Sequence, residues 1–213
     1  MNSKKFNNFL KIINLYELKT IPRNSSNNYY DEKDKIFYER RETTAEHVYS
    51  CLRLADYFLT TEPEFIDLDK LKVYEILLYH DDIEIITRDI GISQRKSRIN
   101  KENQELEALP ILYKKIPLEL NKKLIMLDNE YREKHTQTSK FASGIDKMDA
   151  LVHEIQYPND WSPKGFNERT VREWFEPTFK YSSTFMNYFE KLVQQLDNNG
   201  YFHINPSGKK LEY

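Results

Sequence analysis

Cysteine is almost missing from this chain: Cys51 is the only one in 213 residues. An intrachain disulfide is therefore excluded, and so is a zinc ribbon built on cysteine pairs. An excess of one charge sign is missing too. Lys and Arg number 32 against 34 Asp and Glu, a formal net charge of −2, so no global field points to DNA, RNA or an anionic membrane. No apolar run reaches transmembrane length, and Met1 to Asn8 is polar with no signal-peptide core. Strand-like alternation is sparse and no internal repeat is found. These absences predict an all-α, soluble, cytoplasmic protein with neither a nucleic-acid polymer nor a membrane as partner.

What is present is aromatic and helical. With 15 Tyr and 12 Phe, the chain can bury a large area per side chain despite its hydrophilic balance. Phe6, Phe9, Leu10, Ile13 and Leu18 keep helical spacing, and that helix should end before Ile21-Pro22-Arg23, because proline disfavours helix in the residue before it. Asn24 to Lys35 is polar and reads as a loop or insertion. Thr43 and Glu46 form a capping box that opens a helix carrying His47 beside the stripe Ala45, Val48, Leu52 and Ala55. A further helix starts near Asp67 or Asp69 and runs into Tyr79-His80-Asp81-Asp82-Ile83-Glu84.

Gln94 to Lys101 reads as a basic loop. Glu102–Leu109 and Leu118–Lys134 are helical, with Pro110 and Pro117 as punctuation. Phe141, Ile145, Met148, Val152 and Ile155 repeat at 4, 3, 4, 3, an amphipathic helix with Asp146 one position off the seam. Pro158 to Gly165 reads as a turn-rich link. Val171 to Leu196 predicts one or two aromatic helices, serving as core or as a dimer face.

The stretch from His80 to Glu84 organises the rest. An imidazole and several carboxylates at the end of an apolar helix are costly to bury unless something pairs them, and a divalent cation would. His47, the His80-Asp81 pair and Asp146 come from three different helices. Two imidazoles and two carboxylates suit one borderline or hard divalent ion in a bundle core, such as Mn, Co, Mg, Zn or Fe. Only His135 lies between the pair and Asp146, in a charged stretch that reads as solvated, which favours a single ion over two. Cys51, one turn after His47, reads as a small buried apolar residue. Asp149 and His153 are candidates to support the ligands from behind.

The order Ala45-Glu46-His47, then Tyr79-His80-Asp81-Asp82-Ile83-Glu84, then Ile145-Asp146-Lys147-Met148-Asp149-Ala150 resembles the HD-domain metal-dependent phosphohydrolases. Leu18-Lys19-Thr20-Ile21-Pro22-Arg23 looks like the opening of the 5′-deoxynucleotidase branch (YfbR-like and HDDC-type proteins). The resemblance covers roughly residues 6 to 157. It implies one HD domain over 1–213, with a helical extension over about 166–198 and an irregular tail over 199–213.

It also implies His47, His80, Asp81 and Asp146 as metal ligands, Glu84 as the group that orients or deprotonates the attacking water, and Asp89 as the acid of a Thr-Gly-Asp segment. Arg23 matches the arginine that holds the substrate phosphate, and a homodimer is implied as well. Arg88 stands where that segment has glycine, and the Arg23-to-His47 interval is longer than in the family. The activity implied is hydrolysis of a deoxynucleoside 5′-monophosphate. Alternatives are a (p)ppGpp or nucleoside-triphosphate hydrolase of the same chemistry, or a non-catalytic nucleotide- or metal-sensing module.

Overall fold

The computed structural model describes residues 3–90, 100–157, 160–161 and 166–203. The N-terminal helical segment is broken in three: α1 (Ser3–Leu10), α2 (Ile12–Leu15) and a 3-10 turn over Tyr16–Thr20. Only Leu18 is buried along it, so little tertiary packing holds one continuous helix together.

The stretch expected as a loop is instead two short antiparallel ladders. Strand β1 (Pro22–Ser26) pairs with β4 (Arg41–Thr43), and β2 (Tyr29–Asp31) pairs with β3 (Ile36–Tyr38) in the register Tyr29–Tyr38, Tyr30–Phe37 and Asp31–Ile36. Cross-strand aromatic and β-branched pairs explain the hairpin, and Tyr29 stacks on Tyr38 at 4.9 Å. Its turn is fixed by the Asp31 carboxylate, which accepts from the Lys33 and Asp34 amides, and by Lys35 in the left-handed region at φ 53°.

The bundle follows: α3 (Thr44–Thr61), α4 (Lys70–Tyr79), the single turn α5 (Glu84–Thr87), α6 (Lys101–Lys115), α7 (Leu118–Glu133), α8 (Gln137–Gln156), α9 (Glu168–Phe179) and α10 (Ser183–Asn198). The Thr43–Glu46 capping box opens α3 as its sequence predicts, and Asp69 caps α4. Pro110 does not end α6. It lies on the exposed side, where water can satisfy the carbonyl that its missing N–H leaves without a partner. The expected basic loop falls largely outside the described residues, as does most of the Pro158–Gly165 link.

Two apolar clusters hold the helices. The larger takes Phe58 from α3, Ile76 and Leu77 from α4, and Phe141, Ile145 and Met148 from α8; Phe175, Phe179, Phe185 and Phe189 of α9 and α10 belong to it too. The C-terminal helices are thus core. Gly144 lets α8 approach them, since a Cβ there would come within 2.3 Å of Phe185 Cε2. Toward its end the buried stripe of α8 turns to Leu151 and Glu154, whose carboxylate accepts from the Trp161 amide, and leaves Val152 exposed. The smaller cluster joins Leu18 and Ile21 to Ile83, Ile85, Leu109 and Leu112. No described helix is long and apolar enough to cross a membrane.

Candidate metal centre

Helices α3, α4 and α8 meet with their polar residues pointing inward. His47 stands in the first turn of α3, His80 is the residue that ends α4, Asp81 follows it, and Asp146 lies midway along α8. His47 Nε2 is 3.6 Å from Asp81 Oδ2 and 3.2 Å from Asp146 Oδ1. His80 Nε2 is 3.3 Å from Asp81 Oδ2 and 4.0 Å from Asp146 Oδ1. Ligand atoms held about 2.0–2.2 Å from one ion lie about 3–4 Å from each other, so these four atoms fit around a single cation.

The hydrogen bonds behind the rings fix which nitrogen faces inward. His80 Nδ1 is 2.8 Å from the Leu77 carbonyl, which can only accept, so Nδ1 carries the proton and Nε2 keeps a lone pair. That Nε2 is buried and makes no hydrogen bond among the described residues. His47 Nδ1 lies 2.7 Å from Asp149 Oδ2 and donates to it, leaving Nε2 toward Asp81 and Asp146. A carboxylate behind a ligating histidine fixes its ring and raises its basicity. Asp146 is held on its far side, where Oδ2 accepts from the Tyr131 hydroxyl at 2.9 Å and from Lys147 Nζ at 2.6 Å. Oδ1 alone is left to face the histidines.

Electrostatics express the same deficit. Burial and then the Arg23 charge disfavour a second proton on His47, but the Cys51 sulfur and the Asp146 and Asp149 carboxylates outweigh them and raise its pKa well above the usual value. Burial alone would raise Asp146, yet Lys147 and the two histidines hold its carboxyl well below the usual range. A second proton on His47 thus does, without a metal, what a cation would do better. The ligand atoms of His47, Cys51 and His80 also lie within 4.8 Å of one another. Cys51 Sγ, however, sits 3.5 Å from His47 Nε2 and 3.7 Å from Nδ1, over the ring face and away from the in-plane lone pair. Burial pushes its thiol up to about 12, which keeps it protonated.

On one side of this centre lie the other residues singled out in the sequence. Arg23, on β1, puts Nη1 3.3 Å from Asp81 Oδ2 and Nε 3.4 Å from Glu42 Oε2. Glu84 Oε2 accepts from the Thr44 hydroxyl at 3.0 Å, and Oε1 is 3.7 Å from Lys101 Nζ. Burial, reinforced by Asp81 and Asp89, pushes the Glu84 carboxyl up to about 8. Asp89 Oδ2 accepts from the Asn24 amide at 3.2 Å, which ties the acid to the strand bearing Arg23. Arg88 adopts φ 64°, ψ 162°, a region that glycine alone enters freely. The glycine of the family pattern therefore has a backbone reason here, and this chain bears the strain.

Beside the centre opens a cavity of about 330 Å³ lined by His80, Asp81, Tyr131 and Asp146 together with further cations and carboxylates. Sequence reasoning missed Tyr131 and gave Lys147 no role. Lys147 could have been found from its place next to Asp146; nothing in the charged run around Tyr131 marks it. His135 is 82% exposed and takes no part. His153 donates from Nε2 to the Ser26 carbonyl at 2.7 Å and lies behind Glu42, away from the four inward atoms.

A family model for the HD domain matches residues 16–178. The chain belongs to the HD-domain family. The match runs past residue 157, into α9, in keeping with the shared core. Bovine (Bos taurus) 5′-deoxynucleotidase HDDC2 is 28% identical over 119 residues, so the chain covers only 56% of that relative's length, and 56% of its own. A crystal structure of a predicted metal-dependent phosphohydrolase from Magnetospirillum magnetotacticum superposes with a TM-score of 0.74 at 25% identity, covering 91% of this chain and 92% of that one. A protein from Pyrococcus horikoshii shares the fold at a TM-score of 0.59 and 20% identity, over 89% of this chain and 98% of the other.

Proposed function

We propose that this HD-domain chain is a metal-dependent phosphohydrolase that removes the 5′-phosphate of deoxynucleoside monophosphates. His47, His80, Asp81 and Asp146 would hold one divalent ion. The observation that carries this reading is His80 Nε2, a buried lone pair with no hydrogen bond, facing an imidazole and two carboxylates. The kinship with a 5′-deoxynucleotidase supports the substrate class.

A bound divalent ion supplies an acidified water and offsets charge on a phosphoryl oxygen. The protein does the rest. Glu84, kept apart from bulk water, accepts a proton from the attacking water, and the Thr44 hydroxyl fixes the direction of its carboxylate. Arg23, held by Asp81 and Glu42, presents its guanidinium to phosphate oxygens. Asp89 accepts from the Asn24 amide, which stations the Arg23 strand. A homodimer belongs to the same proposal and is read by sedimentation.

The test is phosphate release from all deoxy- and ribonucleoside monophosphates with Mn²⁺, Co²⁺ and Mg²⁺. The expected result is release from the deoxy series only with metal present. Release of pyrophosphate or triphosphate from longer nucleotides, with none from monophosphates, would move the substrate to that class. No release from any of them would end the enzymatic reading.

A further inference from the structure

Among the described residues, Arg23, Glu84 and Asp89 do not line the cavity beside the metal centre, although Lys101 of its wall lies 3.7 Å from Glu84 Oε1. Its wall carries Lys101, Arg132, Lys134 and Lys147, against two carboxylates, Glu102 and Glu105, beyond the two aspartates of the centre. Arg132 and Lys101 both reach Glu105, at 2.9 and 3.4 Å, and Arg132 also reaches Asp128 at 2.8 Å. Lys147 is bonded to Asp146.

Lys134 differs from these three. It caps the end of α7 at φ 53°, ψ 33°, where glycine or asparagine is favoured, and it has no ion pair among the described residues. Its pKa is lowered, first by desolvation at the cavity and then by the Lys147 charge beside it. More of the described lining surface is polar than apolar. The one aromatic side chain of a Tyr, Phe or Trp among the described lining residues, Tyr131, packs edge-on against His80 at 5.4 Å and spends its hydroxyl on Asp146. A mostly polar cavity with a cation that has no ion pair among the described residues is chemistry for an anion.

We infer that this cavity is a second phosphate subsite, so that the preferred substrate is a nucleotide carrying another phosphate on the part that leaves, gripped by Lys134 and Lys147. The inference rests on the phosphohydrolase reading above. The reactive phosphoryl group lies between the centre and Arg23, and the leaving sugar points across Asp146 into the cavity. Hydrolysis is otherwise unchanged: water adds to the 5′-phosphorus, the bond from phosphorus to the 5′-oxygen breaks, and that oxygen leaves with a proton.

The test compares a deoxynucleoside 3′,5′-bisphosphate with the matching 5′-monophosphate, in the metal-loaded wild type and in Lys134→Asn. Asparagine tolerates the left-handed backbone and removes only the charge. The expected wild-type kcat/KM favours the bisphosphate by about tenfold, the worth of one charge-assisted hydrogen bond. In Lys134→Asn the ratio falls to near one. A wild-type ratio near one, or a preference that survives the substitution, overturns the inference. If neither compound is hydrolysed, the nucleotidase reading has failed by itself, and calorimetry then decides the subsite. Tighter binding of the nucleoside 3′-phosphate than of the nucleoside, lost in Lys134→Asn, keeps it; equal binding removes it.

Discussion

Helices α3 and α8 each serve two regions that are built on opposite terms. On one side Phe58, Phe141 and Phe185 pack ring against ring, with centroids 5.2 and 5.4 Å apart. On the other, His47 and Asp146 of the same helices face each other with His80 and Asp81. The aromatic side is satisfied by packing, apart from the buried Tyr181 hydroxyl, which has no hydrogen-bond partner among the described residues. The polar side is not: it leaves His80 Nε2 without a hydrogen bond, and burial pushes the carboxyls of both Asp82 and Glu84 up to about 8. The difference teaches that the aromatic core stabilises the fold so that a region built for a ligand can be carried at a loss.

The strongest way to break that division is to cut into the aromatic side. Phe185→Ala should cost about 3–5 kcal/mol, since the ring touches Gly144 and five other rings, and urea unfolding measures it. Metal affinity of the remaining folded protein should be unchanged. Equal damage to metal binding would show that the two regions are not separable.

The next effect is on the polar side. Glu84→Gln should lower turnover by about 10²–10⁴-fold while metal binding is kept. It should also raise metal-free stability at neutral pH. With the folded pKa near 8 and the unfolded value near 4.5, the unfolded chain ionises first, so stability is highest below about pH 4.5 and falls as pH rises toward 8. Removing that group should flatten the decline and lift the neutral Tm by about 2–4 °C for each kcal/mol regained. A steeper decline in the variant would contradict the assignment.

A smaller change falls on the groups behind the histidines. Asp149→Asn should weaken metal binding by about 10–100-fold, because the His47 tautomer loses its carboxylate support, with little change in Tm. The smallest effect belongs to the backbone. Arg88→Gly should stabilise by about 1 kcal/mol, the strain relieved less the entropy that glycine adds to the unfolded chain. Arg88→Ala keeps the strain and should give no such gain.

How much of this was legible depends on what kind of signal each part leaves. The four inward groups were legible because each is an ionisable residue tied to the apolar stripe or end of a helix, and a soluble chain rarely places acids there without a partner. The aromatic core followed from Phe spacing. The hairpin over residues 29–38 was not legible, because β3 is exposed along its whole length and so leaves no in–out alternation to read. Pro110 misled for a local reason, since an exposed helix face tolerates what a buried one does not. Tyr131 and Lys134 act from helix α7 on a residue of α8, and their sequence neighbourhood is merely charged.

The most direct measurement is a calorimetric titration of metal-free protein with Co²⁺ or Mn²⁺, beside Asp146→Asn. Convergence of His47, His80, Asp81 and Asp146 on one ion predicts a stoichiometry of one per chain in the wild type and loss of that binding in the variant. Two ions per chain, or an unchanged isotherm in Asp146→Asn, would contradict it.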